Sequence, residues 1–287
     1  MLRKTFFGLF LVLILTSPLT ASVTNLEKPY VVLKSRPGGM FSLFNDVLLL
    51  INMYDNKVYS GAAVKFDDHG FYFDVDHGHN WWNYYCEPIG LGRRFQRTIV
   101  DCDGFNLPYS SPRRDMQYMN RQDAARLVSK YIHPLPFIEQ KVADFAKQHF
   151  KGKYVIGVHY RGTDKVLEAP RVTYEEMGKK VMEIVHKKQR ADYVVFVATD
   201  EAPFLEYMKK QHPHNIAYWD AIRSDTHRSV HKHQTAAPYR LGEDAMMDCL
   251  LLAESDLLVR TASNLSLWSG YFNPKMKVID MNHGYRR

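Results

Sequence analysis

Hydrophobic residues in the second half of the chain recur in short runs that are separated by amphipathic stretches. The run at 154–159 (YVIGVH) is almost unbroken, which is typical of a parallel strand buried on both faces. After it, the pattern predicts helices at 173–188, 202–211, 243–255 and 263–271, strands at 192–198, 215–219, 256–260 and 276–280, and a polar connection at 221–238. This alternation predicts a doubly wound parallel sheet.

The first half of the chain has a less regular pattern. The predicted elements are a strand at 30–34, a helix at 40–54 after a Pro-Gly-Gly turn, a strand at 71–75, and helices at 120–132 and 134–150. The change of pattern places a domain boundary near residue 150. It separates an N-terminal α/β domain (23–150) from a C-terminal α/β domain (151–287).

The first 22 residues have the order of a secretory signal peptide. Arg3 and Lys4 precede an apolar run at 6–15, and small residues follow it. The run is shorter than the roughly 20 residues that span a bilayer, although an uncleaved signal anchor is an alternative. We therefore expect a protein of the secretory pathway or a secreted protein, in contact with a membrane only through this segment if it is uncleaved.

The net charge of the chain indicates the class of ligand it binds, and the positions of its cysteines indicate which of them could form a disulfide. The 287 residues carry a formal net charge of +7, which favours anionic partners. No long Lys/Arg run and no alternation of aromatic with basic residues is present, so we expect no nucleic acid and favour a small anionic ligand. Cys86 and Cys102 could form a disulfide in an oxidising compartment, whereas Cys249 lies in an apolar run and is predicted to be a core thiol.

Charged and hydroxyl side chains follow three predicted strands of the second half. They lie at 159–165 (HYRGTDK), 198–201 (ATDE) and 260–264 (RTASN). In open α/β sheets, ligands bind beyond the carboxyl ends of the strands, and phosphates bind at helix N-termini. Neither a glycine-rich dinucleotide motif nor a P-loop is present. The pattern predicts a nucleotide whose diphosphate is held by arginine and by helix N-termini.

These segments also carry a family resemblance. VHYRGTDKV (158–166) resembles the HxRRTDK motif of the α-1,6-fucosyltransferases and the bacterial nodulation-factor fucosyltransferases. VFVATDE (195–201) and the segment 242–266 are similar to their second and third motifs, in the same order and spacing. The resemblance implies a GT-B-like fold of two Rossmann-type α/β domains. It further implies that the C-terminal half binds GDP-fucose, and that fucose passes with inversion to a glycan or glycoconjugate acceptor without a metal or other cofactor.

The first motif supplies the predicted catalytic residues. The resemblance assigns Arg161 to the donor diphosphate and His159 to the region of diphosphate and ribose, although a strand-end histidine is otherwise a satisfied core residue. Asp164 completes the motif at the donor. Lys165 is expected either to assist the departing diphosphate or to orient the base, with a merely solvated lysine as the alternative. Glu168 is the predicted general base that takes the proton of the acceptor hydroxyl.

The other motifs supply further donor-binding residues. Asp248 matches the carboxylate that accepts hydrogen bonds from guanine, with a polar helix position as the alternative. Asp200, Ser263 and Asn264 match motif positions at strand ends, although Asp200 could equally cap the next helix. Gly162 stands where the family has a second arginine. This departure leaves open a GDP-sugar- or glycan-binding protein with impaired catalysis, besides a transferase for another GDP-sugar.

Two clusters of the first half compete for a functional role. The Asp74-Val75-Asp76 sequence resembles a metal-binding DxD motif, and His77 and His79 follow it. No third cluster with ligand spacing supports it, so no metal site is predicted. The aromatic stretch at 81–85 either stacks on an acceptor sugar or belongs to the core.

Overall fold

The computed structural model describes residues 28–67, 70–92, 99–110, 115–116, 119–163, 171–188, 192–226 and 237–282. The predicted signal segment at 1–22 lies outside these residues. The strands are β1 (Tyr30–Lys34), β2 (Gly61–Lys65), β3 (Gly90–Gly92), β4 (Ile99–Cys102), β5 (Tyr154–Tyr160), β6 (Tyr193–Thr199), β7 (Ile216–Ala217), β8 (Leu257–Arg260) and β9 (Lys277–Asp280). The helices are α1 (Met40–Asp55), α2 (Arg121–Tyr131), α3 (Pro136–His149), α4 (Tyr174–Lys188), α5 (Ala202–Gln211), α6 (Pro238–Ala253) and α7 (Asn264–Phe272), with 3₁₀ helices at Val75–His77 and Trp81–Tyr84.

The second half forms the predicted parallel sheet. Its strand order is β7-β6-β5-β8-β9, and every neighbouring pair is parallel. Every residue of the central strand β5 is buried, as its unbroken apolar run predicts. The chain runs outward from β5 in both directions, so β5 and β8 flank the point where the strand order reverses. In such sheets this switch point opens a crevice at the carboxyl ends of the strands.

The first half forms a second, smaller sheet of order β3-β2-β1-β4. Strand β1 is parallel to β2 and β4, whereas β3 is antiparallel to β2. Strand β2 has small residues because Gly61 lies against the Tyr30 ring of β1, where a side chain would collide. Glycine and alanine favour strands weakly, and the apolar pattern therefore did not predict β2.

The predicted strand at 71–75 is wrong. This segment is a turn that leads into the 3₁₀ helix Val75–His77. The Asp74 carboxylate accepts a hydrogen bond from the backbone of Asp76 at 3.2 Å, and the Tyr84 hydroxyl lies 2.6 Å from the carbonyl oxygens of Asp74 and Gly78. Because these two side chains form hydrogen bonds with the backbone of the segment, it does not have to pair with a neighbouring strand.

Helix α6 begins at Pro238, five residues before the predicted start at residue 243. Proline is favourable in the first turn of a helix. Gly242, which appears in the sequence as a break, lies inside the helix against the Tyr85 ring, where any side chain would collide. The glycine is therefore needed for close packing between α6 and the first half of the chain.

Helices join the two sheets into one continuous apolar core. The Trp268 ring of α7 packs edge-on against Phe44 of α1, and its Nε1 donates a hydrogen bond to Asn45 at 2.7 Å. Phe145 of α3 packs against Phe196 of β6. Helix α3 thus contacts the second sheet although it precedes residue 150, and the domain boundary at that residue stays a prediction.

The aromatic stretch at 81–85 belongs to the core. Trp81, Trp82, Tyr84 and Tyr85 are each at most 5% exposed, so their predicted alternative role in stacking on a sugar is wrong. The three cysteines are buried free thiols, and the disulfide considered between Cys86 and Cys102 is not formed. Within the described residues, no helix has both the length and the apolar character needed to cross a bilayer.

Candidate functional site

The turn after β5 is held by a carboxylate from the neighbouring strand. Asp200, directly after β6, forms an ion pair with Nη1 of Arg161 at 2.9 Å. It also accepts hydrogen bonds from the Gly162 backbone at 3.2 Å and from the Thr163 hydroxyl at 2.5 Å. On the other side, the Arg161 backbone donates to the Thr261 hydroxyl at 2.8 Å. Side chains on β6 and β8 therefore fix the position of Arg161 between them.

The alternative role of Asp200 as a helix cap is wrong. The N-cap residue of α5 is Glu201, and the helix has no side-chain capping bond. Asp200 instead binds the turn that carries Arg161, and its role there is to position that arginine.

A cleft lies at the carboxyl ends of β5, β6 and β8. Five residues predicted from the sequence line it: His159, Arg161, Asp200, Asp248 and Ser263. The other lining residues are Tyr72, Thr199, Ala221, Ile222, Leu241, Asp244, Ala245 and Leu265. Asn264, the first residue of α7, follows Ser263 but is not among the lining residues. Asp164, Lys165 and Glu168 lie outside the described residues.

His159 is a neutral, buried histidine. Burial, together with the charges of Arg161 and Arg260, lowers its pKa to about 3. Its Nδ1 atom is buried and has no hydrogen-bond partner in the described part of the chain. An unpaired buried ring nitrogen is unfavourable, so this atom favours a polar partner in the cleft. The role of His159 at the diphosphate and ribose stays a prediction.

Asp248 is a second buried group without a partner. Its side chain projects from α6 into the cleft, and no described residue donates to its Oδ1 atom. Burial raises its pKa to about 8; the carboxylates of Asp244 and Asp200 raise it further, and Arg223 opposes them. The cleft thus favours the protonated form of this carboxyl group at neutral pH. N–H donors from a ligand would favour its charged form.

Asp244, one helical turn before Asp248, fixes the wall of the cleft. Its carboxylate accepts hydrogen bonds from Nε1 of Trp219 at 3.1 Å and from the backbone of Ile222 at 3.0 Å. The guanidinium of Arg223 donates to the carbonyl oxygens of Trp219 and Ala221 at 2.7 and 2.8 Å. Sequence reasoning missed these residues, since a polar connection shows no sign of which side chains turn inward.

Tyr72 belongs to the first half of the chain and lines the cleft. Its hydroxyl accepts a hydrogen bond from the Met40 backbone at the start of α1 at 2.8 Å. Burial raises its pKa to about 12, and the positive charge of Arg161 opposes that rise. The prediction of a strand at 71–75 hid this residue, which only the contact between the two halves places beside Arg161.

Ser263 stands at the N-terminus of α7. It is the N-cap residue, but its side chain makes no capping hydrogen bond. The preceding turn is held by the Asn282 side chain, which accepts a hydrogen bond from the Ala262 backbone at 2.6 Å. Because unpaired N–H groups and the helix dipole make a helix N-terminus electropositive, this end of α7 can stabilise an anion in the cleft.

Gly162 lies against a buried carboxylate. A side chain at this position would collide with Glu201, which is fully buried and accepts a hydrogen bond from the Tyr174 hydroxyl at 2.8 Å. The second arginine of the resembling family therefore has no room here unless Glu201 moves. Residue 162 therefore contributes no positively charged side chain to the cleft.

The Asp74–Asp76 cluster has a structural role in its turn. The Asp74 carboxylate lies 3.3 Å from Nδ1 of His77, and the His77 ring stacks on Tyr239 of α6 at 3.8 Å. Over the described ranges, no group of three or more His, Cys, Asp or Glu side chains is arranged to hold a metal ion. The DxD-like sequence thus connects its turn to helix α6.

Residues 115–287 of the chain match the Nodulation protein Z (NodZ) family. The chain belongs to the NodZ family. Nodulation protein Z of Bradyrhizobium diazoefficiens is 24% identical over 171 residues, which are 56% of this chain and 46% of that protein. The match therefore spans about half the length of this curated relative.

Solved structures show the same fold. A NodZ α-1,6-fucosyltransferase co-crystallised with GDP has a TM-score of 0.53 at 16% identity, over 88% of this chain and 94% of that one. A NodZ α-1,6-fucosyltransferase soaked with GDP-fucose has a TM-score of 0.53 at 15% identity, over 89% and 97%. POFUT1 in complex with GDP-fucose has a TM-score of 0.50 at 12% identity, over 91% and 99%. The predicted GT-B-like α/β fold is confirmed.

Proposed function

We propose that the protein is an inverting glycosyltransferase that transfers fucose from GDP-fucose to a glycan or glycoconjugate. Membership of the NodZ family and the fold shared with a NodZ α-1,6-fucosyltransferase soaked with GDP-fucose support this proposal. The observation that carries it is the pairing of two groups in one cleft. Asp248 has a buried oxygen without a partner in the described structure, and Arg161 lies at the neighbouring strand end.

Asp248 selects the guanine base. Guanine presents two adjacent N–H groups, N1–H and the N2 amino group, and a carboxylate can accept from both. Adenine lacks this pair of donors. Because a buried acceptor without a partner costs about 1–3 kcal/mol, a base that supplies the missing bonds gains affinity over one that does not. The neutral His159 offers a ring nitrogen to the ribose or the diphosphate.

Arg161 and helix α7 bind the diphosphate. The guanidinium is held at one nitrogen by Asp200, which limits the rotamers that must be frozen when a phosphate binds. Ser263 and the first backbone N–H groups of α7, beginning with Asn264, lie at the same end of the sheet and favour negative charge. This arrangement stabilises GDP as it leaves, because the developing charge meets preorganised donors.

The transfer is a single displacement. The acceptor oxygen forms a bond to the anomeric carbon of fucose from one side while the bond to the β-phosphate oxygen breaks on the other. Glu168 takes the proton of the acceptor hydroxyl. Lys165 and Asp164 act at the diphosphate. The roles of Asp164 and Lys165 come from the resemblance of the 158–166 segment, and that of Glu168 from its position near the glutamate that serves as general base in the resembling family. All three residues lie outside the described structure.

Donor binding and transfer require no metal in this proposal. Arg161 and the N-terminus of α7 supply the positive charge that a divalent cation supplies in DxD enzymes. Transfer rates in excess chelator equal to those in added Mg²⁺ or Mn²⁺ would support this. A rate that a chelator abolishes and Mn²⁺ restores would refute it, and Asp74→Asn would then test the alternative cluster.

We propose that the protein enters the secretory pathway or is secreted. The order of charged, apolar and small residues at 1–22 supports this. Fractionation of expressing cells, with N-terminal sequencing of the product, tests both export and cleavage. A product that keeps Met1 and stays in the cytosol would refute the proposal.

The deciding experiment screens nucleotides and their sugars. Saturation-transfer NMR and calorimetry should show binding of GDP and GDP-fucose but not of UDP or ADP. Arg161→Ala should weaken GDP binding by roughly 100-fold, whereas Arg126→Ala, which removes an exposed arginine of α2 paired with Asp55, should not change it. NMR of the product then reads the anomeric configuration. Equal binding of ADP and GDP, or a retained configuration, would contradict the proposal.

A binding protein with impaired catalysis is the second candidate. It is favoured by Gly162, where the fully buried Glu201 leaves no room for a second cation. GDP binding without donor hydrolysis or transfer would support this candidate, and turnover of GDP-fucose would exclude it. Turnover of another GDP-sugar in the same screen would instead identify a different donor.

A further inference from the structure

Two exposed aromatic side chains lie in the loop that follows β4. Phe105 is 66% exposed and Tyr109 is 74% exposed, and both follow the carboxyl end of β4 in the first sheet. Isolated exposed aromatics need no explanation, but two of them in one loop with a fixed backbone indicate a binding surface.

The backbone that carries Phe105 is fixed. The Asp103 side chain accepts hydrogen bonds from the Phe105 backbone at 2.9 Å and from the Asn106 backbone at 3.1 Å. Gly104 packs so closely on the Asp46 carboxylate of α1 that any side chain would collide with it. The loop is thus held against α1, and the outward direction of Phe105 is built into the fold.

The Phe105 ring is supported from one side by a buried arginine. The guanidinium of Arg36 lies 4.3 Å from the ring centroid. Arg36 is itself held by Asp46 at 2.7 Å and by the Ser42 hydroxyl at 3.0 Å. A cation beneath the ring anchors it. The rest of the ring remains open to solvent, as its 66% exposure requires.

Tyr109 is presented in a comparable way. Its backbone has a φ of 57°, in the left-handed region that side chains rarely adopt. The preceding carbonyl, of Pro108, accepts a hydrogen bond from the buried Tyr59 hydroxyl at 2.5 Å. Strain of this kind persists where the surrounding structure enforces it and is frequent at binding sites.

The loop is connected to the donor cleft. Arg36 lies in the turn between β1 and α1, and Met40 at the end of that turn binds the Tyr72 hydroxyl at 2.8 Å. Tyr72 lines the cleft with Arg161. The Phe105 ring therefore packs against Arg36 in the turn that ends at Met40, and the Met40 backbone holds the hydroxyl of a cleft residue.

We infer that Phe105 and Tyr109 form the acceptor subsite and stack on a neutral pyranose ring of the acceptor glycan. This inference rests on the proposed function, and it names the surface that binds the second substrate. A pyranose has an apolar C–H face and a hydroxyl edge. The loop matches it with aromatic faces beside the polar side chains of Asp103, Asn106 and Ser110. A sugar is favoured over a protein chain because the loop that carries the two aromatic residues is rich in polar side chains, which suit the hydroxyl groups of a sugar.

The test uses a printed array of neutral glycans, probed by the full-length protein in the presence of GDP. Wild type should bind at least one glycan class, and Phe105→Ala should weaken that binding by roughly tenfold. Phe137→Ala is the matched control, because Phe137 is also exposed, at 39%, and also lies near a cation, Lys141, but stands on α3 outside the loop. It should bind as wild type does.

GDP affinity, measured on the same preparations, separates the two proposals. It should be equal in wild type, Phe105→Ala and Phe137→Ala, which also shows that the variants are folded. A wild type that binds GDP but no glycan overturns the inference, as does Phe105→Ala with unchanged glycan binding or an equal loss in Phe137→Ala. Failure of wild type to bind GDP overturns the proposed function, whereas Phe105-dependent glycan binding would still support the subsite.

Discussion

Replacing Asp248 by asparagine should stabilise the empty protein and at the same time abolish tight GDP binding. The carboxyl group is buried in the cleft, and its Oδ1 atom has no partner within the described structure. Burial raises its pKa from an ordinary value of 3.8 to about 8. The group therefore stays protonated in the folded protein at neutral pH but loses its proton on unfolding.

The size of the stabilisation follows from this difference. At pH 7, about three pH units above the ordinary pKa, keeping the proton on Asp248 costs on the order of 4 kcal/mol at 1.36 kcal/mol per pH unit. Between pH 4 and 8 the folded protein binds more protons at this group than the unfolded chain does. Its contribution to stability is therefore present below pH 4 and is lost as pH rises through 8. Asparagine does not titrate, so residue 248 of the variant causes no fall in folding stability as the pH rises.

The effect on GDP has the opposite sign. Asparagine offers one acceptor oxygen and an amino group that faces guanine donors, so two charge-assisted bonds are lost. We expect GDP to bind the variant roughly 100-fold to 1000-fold more weakly. In wild type, binding releases the proton of Asp248, and each pH unit below 8 should weaken GDP binding about tenfold through this group.

Urea unfolding from pH 5 to 8, with and without GDP, measures both effects. Calorimetry in buffers of different ionisation enthalpy counts the released proton. Asp144→Asn is the control, since Asp144 lies exposed on α3 and bonds only to Gln140 among the described residues. If Asp248→Asn destabilises the empty protein at pH 7, and wild-type stability does not fall towards pH 8, the carboxylate is charged and paired and the reasoning is refuted.

Three further substitutions test the cleft. Asp200→Asn removes the ion pair that positions Arg161 and should weaken GDP binding about tenfold in calorimetry, with little change in thermal stability if the turn persists. Gly162→Ala should destabilise the protein by about 1–3 kcal/mol in urea unfolding, because the new methyl group collides with Glu201. Adding Glu201→Ala should remove this collision, so the double variant should lose less stability than the sum of the single variants. Tyr72→Phe should keep the fold but raise the donor KM several-fold if its hydroxyl faces the donor; an unchanged KM would limit Tyr72 to holding helix α1.

The glycine at residue 162 is explained by the packing of the carboxylate beside it. Its neighbour Glu201 is fully buried at the end of β6, next to Asp200. Two adjacent carboxylates thus support the turn that carries Arg161, one by direct bonds and one by filling the space beside Gly162. Restoring an arginine at residue 162 alone would force Glu201 to move, so that change is not expected to restore a lost activity.

The sequence by itself determined the second sheet and five of the residues that line the cleft. Strands such as β5 are buried on both faces, so they appear as continuous apolar runs, and the polar residues that end them can be located without a structure. His159, Arg161, Asp200 and Ser263 were found in this way, and Asp248 was found through the family resemblance of its helix. The structure brings all five to one cleft. The parallel direction of the strands follows from the same alternation, because parallel neighbours are joined by crossover connections that are usually helices.

Only the tertiary structure decided the rest. Strands β2, β3 and β4 are short. Gly61 of β2 is required by its close contact with Tyr30 of β1, which no local pattern reveals. Tyr72 and Phe105 acquire their positions from helix α1 and Arg36, which are distant in the chain. The unpaired state of Asp248 and His159 depends on how completely neighbouring elements exclude water. Burial and long-range contact are properties of the folded chain, and a sequence pattern can indicate the chemistry of a residue without fixing its surroundings.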